Sequence, residues 1–357
     1  MATEREERLL KALRSMAPGT QLREGLDNVL RAKTGAIIVL SDSPQVLELV
    51  EGGFQLQCDF TPAALYELAK MDGAIILSAD AKKILYANTQ LVPDPSVPST
   101  ETGIRHRTAE RVARMTDEIV IAISQRRNII SLYLGTQKYI LRDISVILSK
   151  ANQAIQTLEK YKAVLDQALI NLGALEFEDL VTVFDVCNVM QRFEMVARIV
   201  AEIKRYIVEL GSEGRLVNMQ LVELVGNTES ESLAVIRDYM APGETRTPEE
   251  IREQMSEFTS EELLEPINFC RLMGYGANLN ALERLVSPCG YRILQKIPRL
   301  PHSVVENLVD HFGNLQGVME ASIEALDEVE GIGEVRARAI SEGLRRLKGQ
   351  ALIDRHL

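Results

Sequence analysis

Two short stretches carry residue types suited to a phosphate chain and its counter-ion. The first is Lys70-Met71-Asp72-Gly73-Ala74, an acidic residue and a glycine at the start of an apolar run. A carboxylate there stands beside exposed backbone N–H groups, and glycine permits close approach of a ligand to the backbone. An ordinary Asp-Gly turn accounts for the same pair. The second is Glu101-Thr102-Gly103-Ile104-Arg105-His106-Arg107-Thr108-Ala109-Glu110-Arg111, which follows the proline-rich loop Val92–Pro98. Thr102-Gly103, three basic residues and Thr108 at a helix start make an anion site. The free N–H groups of a first helical turn point outward and the dipole favours negative charge. Arg105 and Arg107 add forked donors matched to phosphate oxygens, and His106 adds another donor. The competing reading is a solvated arginine-rich turn in which Thr108 is a simple N-cap and Glu101 and Glu110 pair with the arginines. No G-x-x-x-x-G-K-S/T and no G-x-G-x-x-G occurs.

Joined, the two stretches supply the parts of a metal-assisted nucleotidyl transfer. Asp72 would hold a divalent ion, Mg2+ or Mn2+, that bridges phosphate oxygens; Arg105 and Arg107 would neutralise a triphosphate.

A third stretch, Val329-Glu330-Gly331-Ile332-Gly333-Glu334-Val335-Arg336-Ala337-Arg338-Ala339-Ile340, matches the helix-hairpin-helix pattern. Gly331, Ile332 and Gly333 would form a tight hairpin that presents N–H groups to a DNA phosphate without reading bases. Residues 336–348 hold Arg336, Arg338, Arg345, Arg346 and Lys348 against Glu342 alone, whereas 320–334 hold six acidic residues and no basic one. Few phosphate contacts imply weak, salt-sensitive binding per subunit, raised by avidity in an oligomer. Packing against protein is the alternative use of such a hairpin.

These residues need elements to hold them. Short apolar runs bounded by turn residues predict buried strands at Gly35–Leu40, Gly73–Leu77, Ile84–Ala87, Ile119–Ile123 and Ile129–Leu134. Helical spacing at Leu9, Leu10, Leu13 and Met16 ends at Pro18-Gly19-Thr20, which caps a second helix to about Ala32. Further helices are expected at Pro62–Lys70 and Thr108–Met115. The fold class is α/β, a mixed central sheet flanked by helices. From Ile144 to about Glu265 strand signals nearly vanish. Ile155, Leu158, Tyr161, Leu165, Leu169 and Leu172 form one stripe of a long helix, and helices are expected at 176–209, 213–225 and 229–240. From Ser287, prolines and Gly-bearing turns punctuate short helices. The expected segments are 1–145, a mixed domain that carries the candidate phosphate site; 146–286, a helical linker or oligomerisation domain; and 287–357, a helix-hairpin-helix domain.

Forty Lys+Arg against 51 Asp+Glu give a net charge of -11 over 357 residues, which argues against a protein that coats nucleic acid along its whole surface. A 46% hydrophobic content excludes wholesale disorder. Cys58, Cys187, Cys270 and Cys289 form no C-x-x-C pair and read as reduced, mostly buried thiols. Residues 1–7 do not read as a signal peptide, and no apolar run suits a membrane span, so a cytoplasmic protein is expected.

The Asp72-Gly73-Ala74 and Arg105-His106-Arg107 signatures resemble those of the diadenylate cyclase family. Further matching words are Gly35–Ile38, Gly52-Gly53-Phe54, Tyr66–Ala74, Tyr86-Ala87-Asn88, Leu91–Asp94 and Arg126-Arg127-Asn128. The order of the three segments resembles DNA-scanning members of that family along essentially the whole chain. The resemblance implies condensation of two ATP into cyclic di-AMP with release of two pyrophosphates across a face-to-face pair of subunits. It also implies an octamer built on the helical segments and recognition of branched DNA, with nucleoid association when bound. Residue by residue, Asp72 would bind the metal and help activate a 3′-hydroxyl. Gly73, with Ala74 beside it, would bring the backbone close to the nucleotide, and Leu91 would line the adenine pocket. Gly103, the Ile104 backbone, Arg105, His106, Arg107 and Thr108 would hold the triphosphate, with Ser124 and Arg127 as neighbours. A surface or interface charge is the other reading of Arg127. Two other functions stay open: a non-catalytic nucleotide-sensing DNA-repair scaffold, and a different repair enzyme, which would need its own acid cluster or lysine nucleophile near residue 330.

Overall fold

The computed structural model describes residues 2–355. Met1, His356 and Leu357, and with them the outer ends of the first and third expected segments, lie outside the described residues. The chain opens with helices α1 (Ala2–Ser15) and α2 (Gln21–Arg31). The Thr20 hydroxyl caps α2 by accepting the Arg23 N–H at 3.2 Å, as the Pro18-Gly19-Thr20 break anticipates. Then come β1 (Ala36–Leu40), α3 (Pro44–Leu47), β2 (Val50–Glu51), β3 (Phe54–Asp59), α4 (Pro62–Leu68), β4 (Ala74–Leu77) and β5 (Lys83–Leu91). Helix α5 (Ile104–Thr116) and strands β6 (Ile119–Ser124), β7 (Ile129–Leu134) and β8 (Gln137–Ile140) complete this part.

The eight strands form one mixed sheet in the order β2-β5-β4-β1-β6-β7-β8, with β3 also paired to β5. Central β1 runs parallel to β4 and antiparallel to β6. Successive side chains point to opposite faces, so β1 feeds two cores at once. Ile38 and Leu40 join Ile75, Leu77, Ile121 and Ile123 beneath Leu22, Leu26 and Val29 of α2 and Leu65 of α4. Ile37 and Val39 join Ile76, Val120, Ala122 and Tyr133 beneath Ala109, Val112 and Ala113 of α5. Helices on both faces are why these strands read as unbroken apolar runs.

The expected strands are all present, and three more join them. β2, β3 and β8 lie toward the sheet's margins, and every residue of β3 is exposed, so no apolar pattern announced them. Helix α5 starts at Ile104, four residues before Thr108. Its N-cap is Gly103, whose carbonyl accepts the Arg107 N–H at 2.8 Å. Thr108 therefore sits inside the helix, which corrects its expected place at the terminus. Nothing between Gly103 and Thr108 breaks a helix, so the glycine and not the threonine sets the start.

The chain divides into two compact units: the chain up to Gln153 with Lys204–Met219, and Ala154–Ile203 with Gln220 onward. Long helices α6 (Ile144–Glu178) and α7 (Val183–Leu210) contribute to both. Ile155, Leu158, Leu165, Leu169 and Leu172 of the expected stripe are buried, but Tyr161 is exposed at its edge. Helices α8 (Arg215–Val225), α9 (Thr228–Tyr239), α10 (Pro248–Ser256), α11 (Pro266–Leu272) and α12 (Tyr291–Leu294) follow. In the second unit the Arg292 guanidinium pairs with the Glu176 carboxylate in full burial, and the Tyr239 hydroxyl donates to Glu176 at 2.9 Å. Asp238 accepts the N–H groups of Gly290 and Tyr291 at 2.7 Å and of Arg292 at 3.0 Å, anchoring the start of α12. The chain ends in α13 (His302–Phe312), α14 (Leu315–Glu320), α15 (Ile323–Asp327) and α16 (Glu334–Asp354). They pack around Val305, Leu308, Leu315, Leu326, Ile332, Ala337 and Ile340.

All four cysteines are free thiols; Cys187 and Cys270 are buried and Cys289 is half-buried, while Cys58 is exposed and departs from the mostly buried set expected. Among the described residues no helix is long and apolar enough to cross a membrane.

Candidate active site

The sheet brings the candidate residues to one end. The register pairs Ala36 with Ile123 and Ala74 with Thr89, so the starts of β1 and β4 lie beside the ends of β5 and β6. Gly35 precedes β1, Asp72 and Gly73 precede β4, Leu91 closes β5 and Ser124 closes β6. Helix α5 delivers its N-terminus to the same end.

Arg105 is the link between the two signatures. Its Nη2 donates to Asp72 Oδ1 at 3.1 Å across 33 residues of sequence. The Asp72 side chain is otherwise fully exposed, which leaves most of its lone pairs available. The guanidinium lies over Gly35, where a Cβ would fall 2.3 Å from Arg105 Nη1. Gly73 is also a close-approach glycine, but the group it admits is the chain itself. A Cβ there would stand 2.2 Å from the Asn88 carbonyl carbon and 2.6 Å from the Thr89 nitrogen. Ala74 is buried in the strand behind it.

His106 has turned inward. Its Nδ1 lies 3.0 Å from the Tyr133 hydroxyl, which donates to Glu101 Oε1 at 2.9 Å; Lys138 Nζ donates to the same carboxylate oxygen. Burial pushes the His106 pKa down, with the nearby Glu101 charge opposing it and Lys138, Arg127 and Arg105 adding to it. Burial would raise the Glu101 pKa, but the bonds from Lys138 and Tyr133 prevail and hold it below the usual carboxylate range.

The glutamates do not pair with the motif arginines. Glu101 takes Lys138, and Glu110 takes Arg114 Nη2 at 2.6 Å. Glu110 also accepts Ser99 Oγ at 2.5 Å and the Thr100 N–H at 3.0 Å, which pins the incoming loop to α5. Arg107 and Ile104 are exposed at the helix start, the latter at 77%. Ser124 Oγ accepts the Arg127 N–H at 3.2 Å in the exposed β6–β7 turn, while Leu91 packs in the core with Val50 and Tyr86 nearby. Gly35, Tyr133 and Lys138 are the site residues that motif reasoning did not assign. Gly35 had a signal, as the first residue of an expected strand; Tyr133 lies on an expected strand but nothing local marked it for the site, and Lys138 lies on a strand with no cue.

At the other end of the chain, the turn between α15 and α16 carries Gly331 at φ +84° and Gly333 as the N-cap of α16. Ile332 is buried in the core and its N–H is spent on the Val329 carbonyl at 3.0 Å. Arg336 Nη1 donates to the Gly331 carbonyl, and Arg338 Nη2 donates to Glu334 at 2.5 Å; both side chains are exposed.

Comparison with known proteins places this geometry. Residues 23–138 match the model for the DisA bacterial checkpoint controller nucleotide-binding domain, and residues 141–282 match that for the DisA bacterial checkpoint controller linker region. The chain is 61% identical over 346 residues to the DNA integrity scanning protein DisA of Carboxydothermus hydrogenoformans, covering 97% of this chain and 98% of that one. It is 57% identical over 350 residues to the protein of the same name from Acetivibrio thermocellus, covering 98% and 97%. The corresponding protein of Symbiobacterium thermophilum is 59% identical over 347 residues, covering 97% and 98%. A mixed sheet with a carboxylate and an arginine-flanked helix terminus at one end is here the catalytic domain of a diadenylate cyclase. The chain belongs to the DisA family.

Proposed function

We propose that this chain condenses two ATP into cyclic di-AMP and two pyrophosphates across a face-to-face pair of subunits, and that C-terminal hairpins couple the reaction to branched DNA. The observation that carries the reading is the Asp72 Oδ1–Arg105 Nη2 contact at 3.1 Å, which sets a carboxylate beside a phosphate-binding helix terminus. Each site takes one nucleotide. The 3′-hydroxyl of one ATP gives up its proton toward Asp72 and its oxygen attacks the α-phosphorus of the other, forming a P–O bond while the bond to the bridging α–β oxygen breaks and pyrophosphate leaves. Two such displacements in opposite directions close the ring, so a single site cannot finish it.

Arg105, Arg107 and the first-turn N–H groups of α5 hold the phosphates of the incoming nucleotide and stabilise the charge on the leaving pyrophosphate. Gly103, His106 and Thr108 shape that terminus, and Ser124 and Arg127 border it. Leu91 and Ala74 back the base-side wall. Among the described residues no group of three or more His, Cys, Asp and Glu converges. One exposed carboxylate, Asp72, would hold a hard ion such as Mg2+ or Mn2+. Such an ion would supply charge neutralisation and would lower the pKa of a bound hydroxyl.

In the C-terminal turn, Gly333, the exposed start of α16 and the basic side chains after it suit a DNA phosphate. The DNA role rests on that turn and the three-segment division at 145 and 286. Avidity across an octamer would favour junctions over single duplexes. A cytoplasmic enzyme that joins the nucleoid with its DNA fits this reading. The test is incubation of the full chain with ATP and Mg2+ or Mn2+, with products separated by anion exchange. Cyclic di-AMP is expected; nucleotide binding without any cyclic product from a folded oligomer would leave the sensing scaffold instead.

A further inference from the structure

The proposed phosphate-binding terminus of α5 is backed by a donor–acceptor chain that is buried at its His106–Tyr133 end and reaches solvent at Lys138. It runs Lys138–Glu101–Tyr133–His106. Glu101 is held ionised by its partners and can only accept. The Tyr133 hydroxyl has one proton and gives it to Glu101 at 2.9 Å. The Tyr133 oxygen must therefore accept at 3.0 Å from His106, which puts the imidazole proton on Nδ1. That leaves Nε2 with a lone pair, fully buried and without a hydrogen-bond partner. His106 is itself only 8% exposed. Its ring edge at Cδ2, next to Nε2, lies 3.8 Å from where a Cβ of Gly103 would be, at the N-cap of α5. The unused nitrogen thus sits under the helix terminus that Arg105 and Arg107 flank.

A lone pair and a phosphate oxygen are both acceptors and repel. An imidazolium Nε2–H donates to phosphate and adds a charge. The charged groups facing His106 are Glu101 from the loop before α5, Lys138 from β8, Arg127 from the β6–β7 turn and Arg105 from α5 itself. Burial, with the three cations adding to it and Glu101 opposing it, favours the neutral ring until an anion arrives. Resting on the nucleotide reading above, we propose that binding of the ATP phosphate chain is coupled to uptake of one solvent proton at His106 Nε2, with Tyr133 and Glu101 as positioning residues that hold the other proton on Nδ1. The balance is simple: neutral imidazole, a proton from solvent and the phosphate chain give an imidazolium–phosphate hydrogen bond, and no covalent bond other than N–H forms.

The experiment is calorimetric titration of the full-length chain with 3′-deoxy-ATP, which binds but cannot cyclise. It is run at pH 8, where the free phosphates are ionised, in buffers of different ionisation enthalpy. A net fractional uptake of protons on nucleotide binding is expected, with one proton per bound nucleotide as its ceiling. In His106→Gln, whose amide N–H donates without taking up a proton, nucleotide should bind more weakly and the binding that remains should carry no uptake. In Tyr133→Phe the uptake should persist with its pH midpoint moved downward, because the imidazolium loses its link to Glu101. Nucleotide binding by the native chain with no proton uptake, or equal uptake in His106→Gln, would overturn the coupling and leave the nucleotide site standing. Absence of nucleotide binding would overturn the site reading and this proposal with it.

Discussion

The guanidinium of Arg105 occupies the space that a side chain at Gly35 would need: a Cβ there would stand 2.3 Å from Arg105 Nη1. The two residues are 70 positions apart, on strand β1's leading end and in the first turn of α5. Gly35→Ala should push Arg105 off Asp72 while sparing the fold, because the obstacle is the far end of a flexible side chain. Cyclic di-AMP formation should fall roughly tenfold or more through loss of a charge-assisted contact, with little change in melting temperature. An unchanged rate would show that Arg105 does not need this seat.

Asp72→Asn removes a fully exposed carboxylate, so stability should not change. Turnover should drop by about 1,000-fold, the scale of several kcal/mol of lost transition-state stabilisation. DNA affinity, measured by fluorescence anisotropy on a four-way junction, should stay at the native value because the hairpin lies elsewhere in the chain. An equal fall in DNA binding would refute that separation.

Gly73 and Gly333 respond oppositely to substitution. At Gly73 the obstacle is backbone, with Asn88 Cα at 2.3 Å, so Gly73→Ala must displace β5 and should cost about 1–3 kcal/mol in urea unfolding. At Gly333 a Cβ meets nothing within 4 Å. Gly333→Leu should therefore fold normally, make cyclic di-AMP at the native basal rate and bind junction DNA more weakly, because the added side chain covers the approach to the α16 N–H groups.

Glu110 gives a pH signature. Burial would raise its pKa, but the bonds from Ser99, Arg114 and the Thr100 N–H outweigh this and hold it below the usual range. A depressed folded pKa adds stability that is fully present above the unfolded value of about 4.3 and is lost as pH falls through the folded value. Glu110→Gln should therefore be less stable than the native chain by about 1–3 kcal/mol at neutral pH, with the gap closing below about pH 4. Denaturant melts at a series of pH values check this; a gap independent of pH would contradict it.

What the sequence made legible follows burial. β1, β4, β6 and β7 announced themselves because both faces of the sheet are covered, which forces Ile, Val and Leu at successive positions. β3 left no such trace, since Phe54–Asp59 is exposed throughout and pairs only along its backbone with β5. Asp72 and Arg105 were legible as chemistry, and the structure joins them. Their supports were not: the His106–Tyr133 contact spans 27 residues and the Glu101–Lys138 contact 37, separations at which no local spacing carries information. Thr108 misled because threonine favours helix starts, whereas the Gly103 carbonyl had already begun the helix.

The Asp72–Arg105 contact engages one carboxylate oxygen and one guanidinium nitrogen, and both side chains keep further bonding positions open to solvent. On the proposed reading, a ligand that carries both signs, as a metal–nucleotide complex does, would meet the two side chains together without parting them. The resting pair would then act as a template, already spaced for the complex before it arrives.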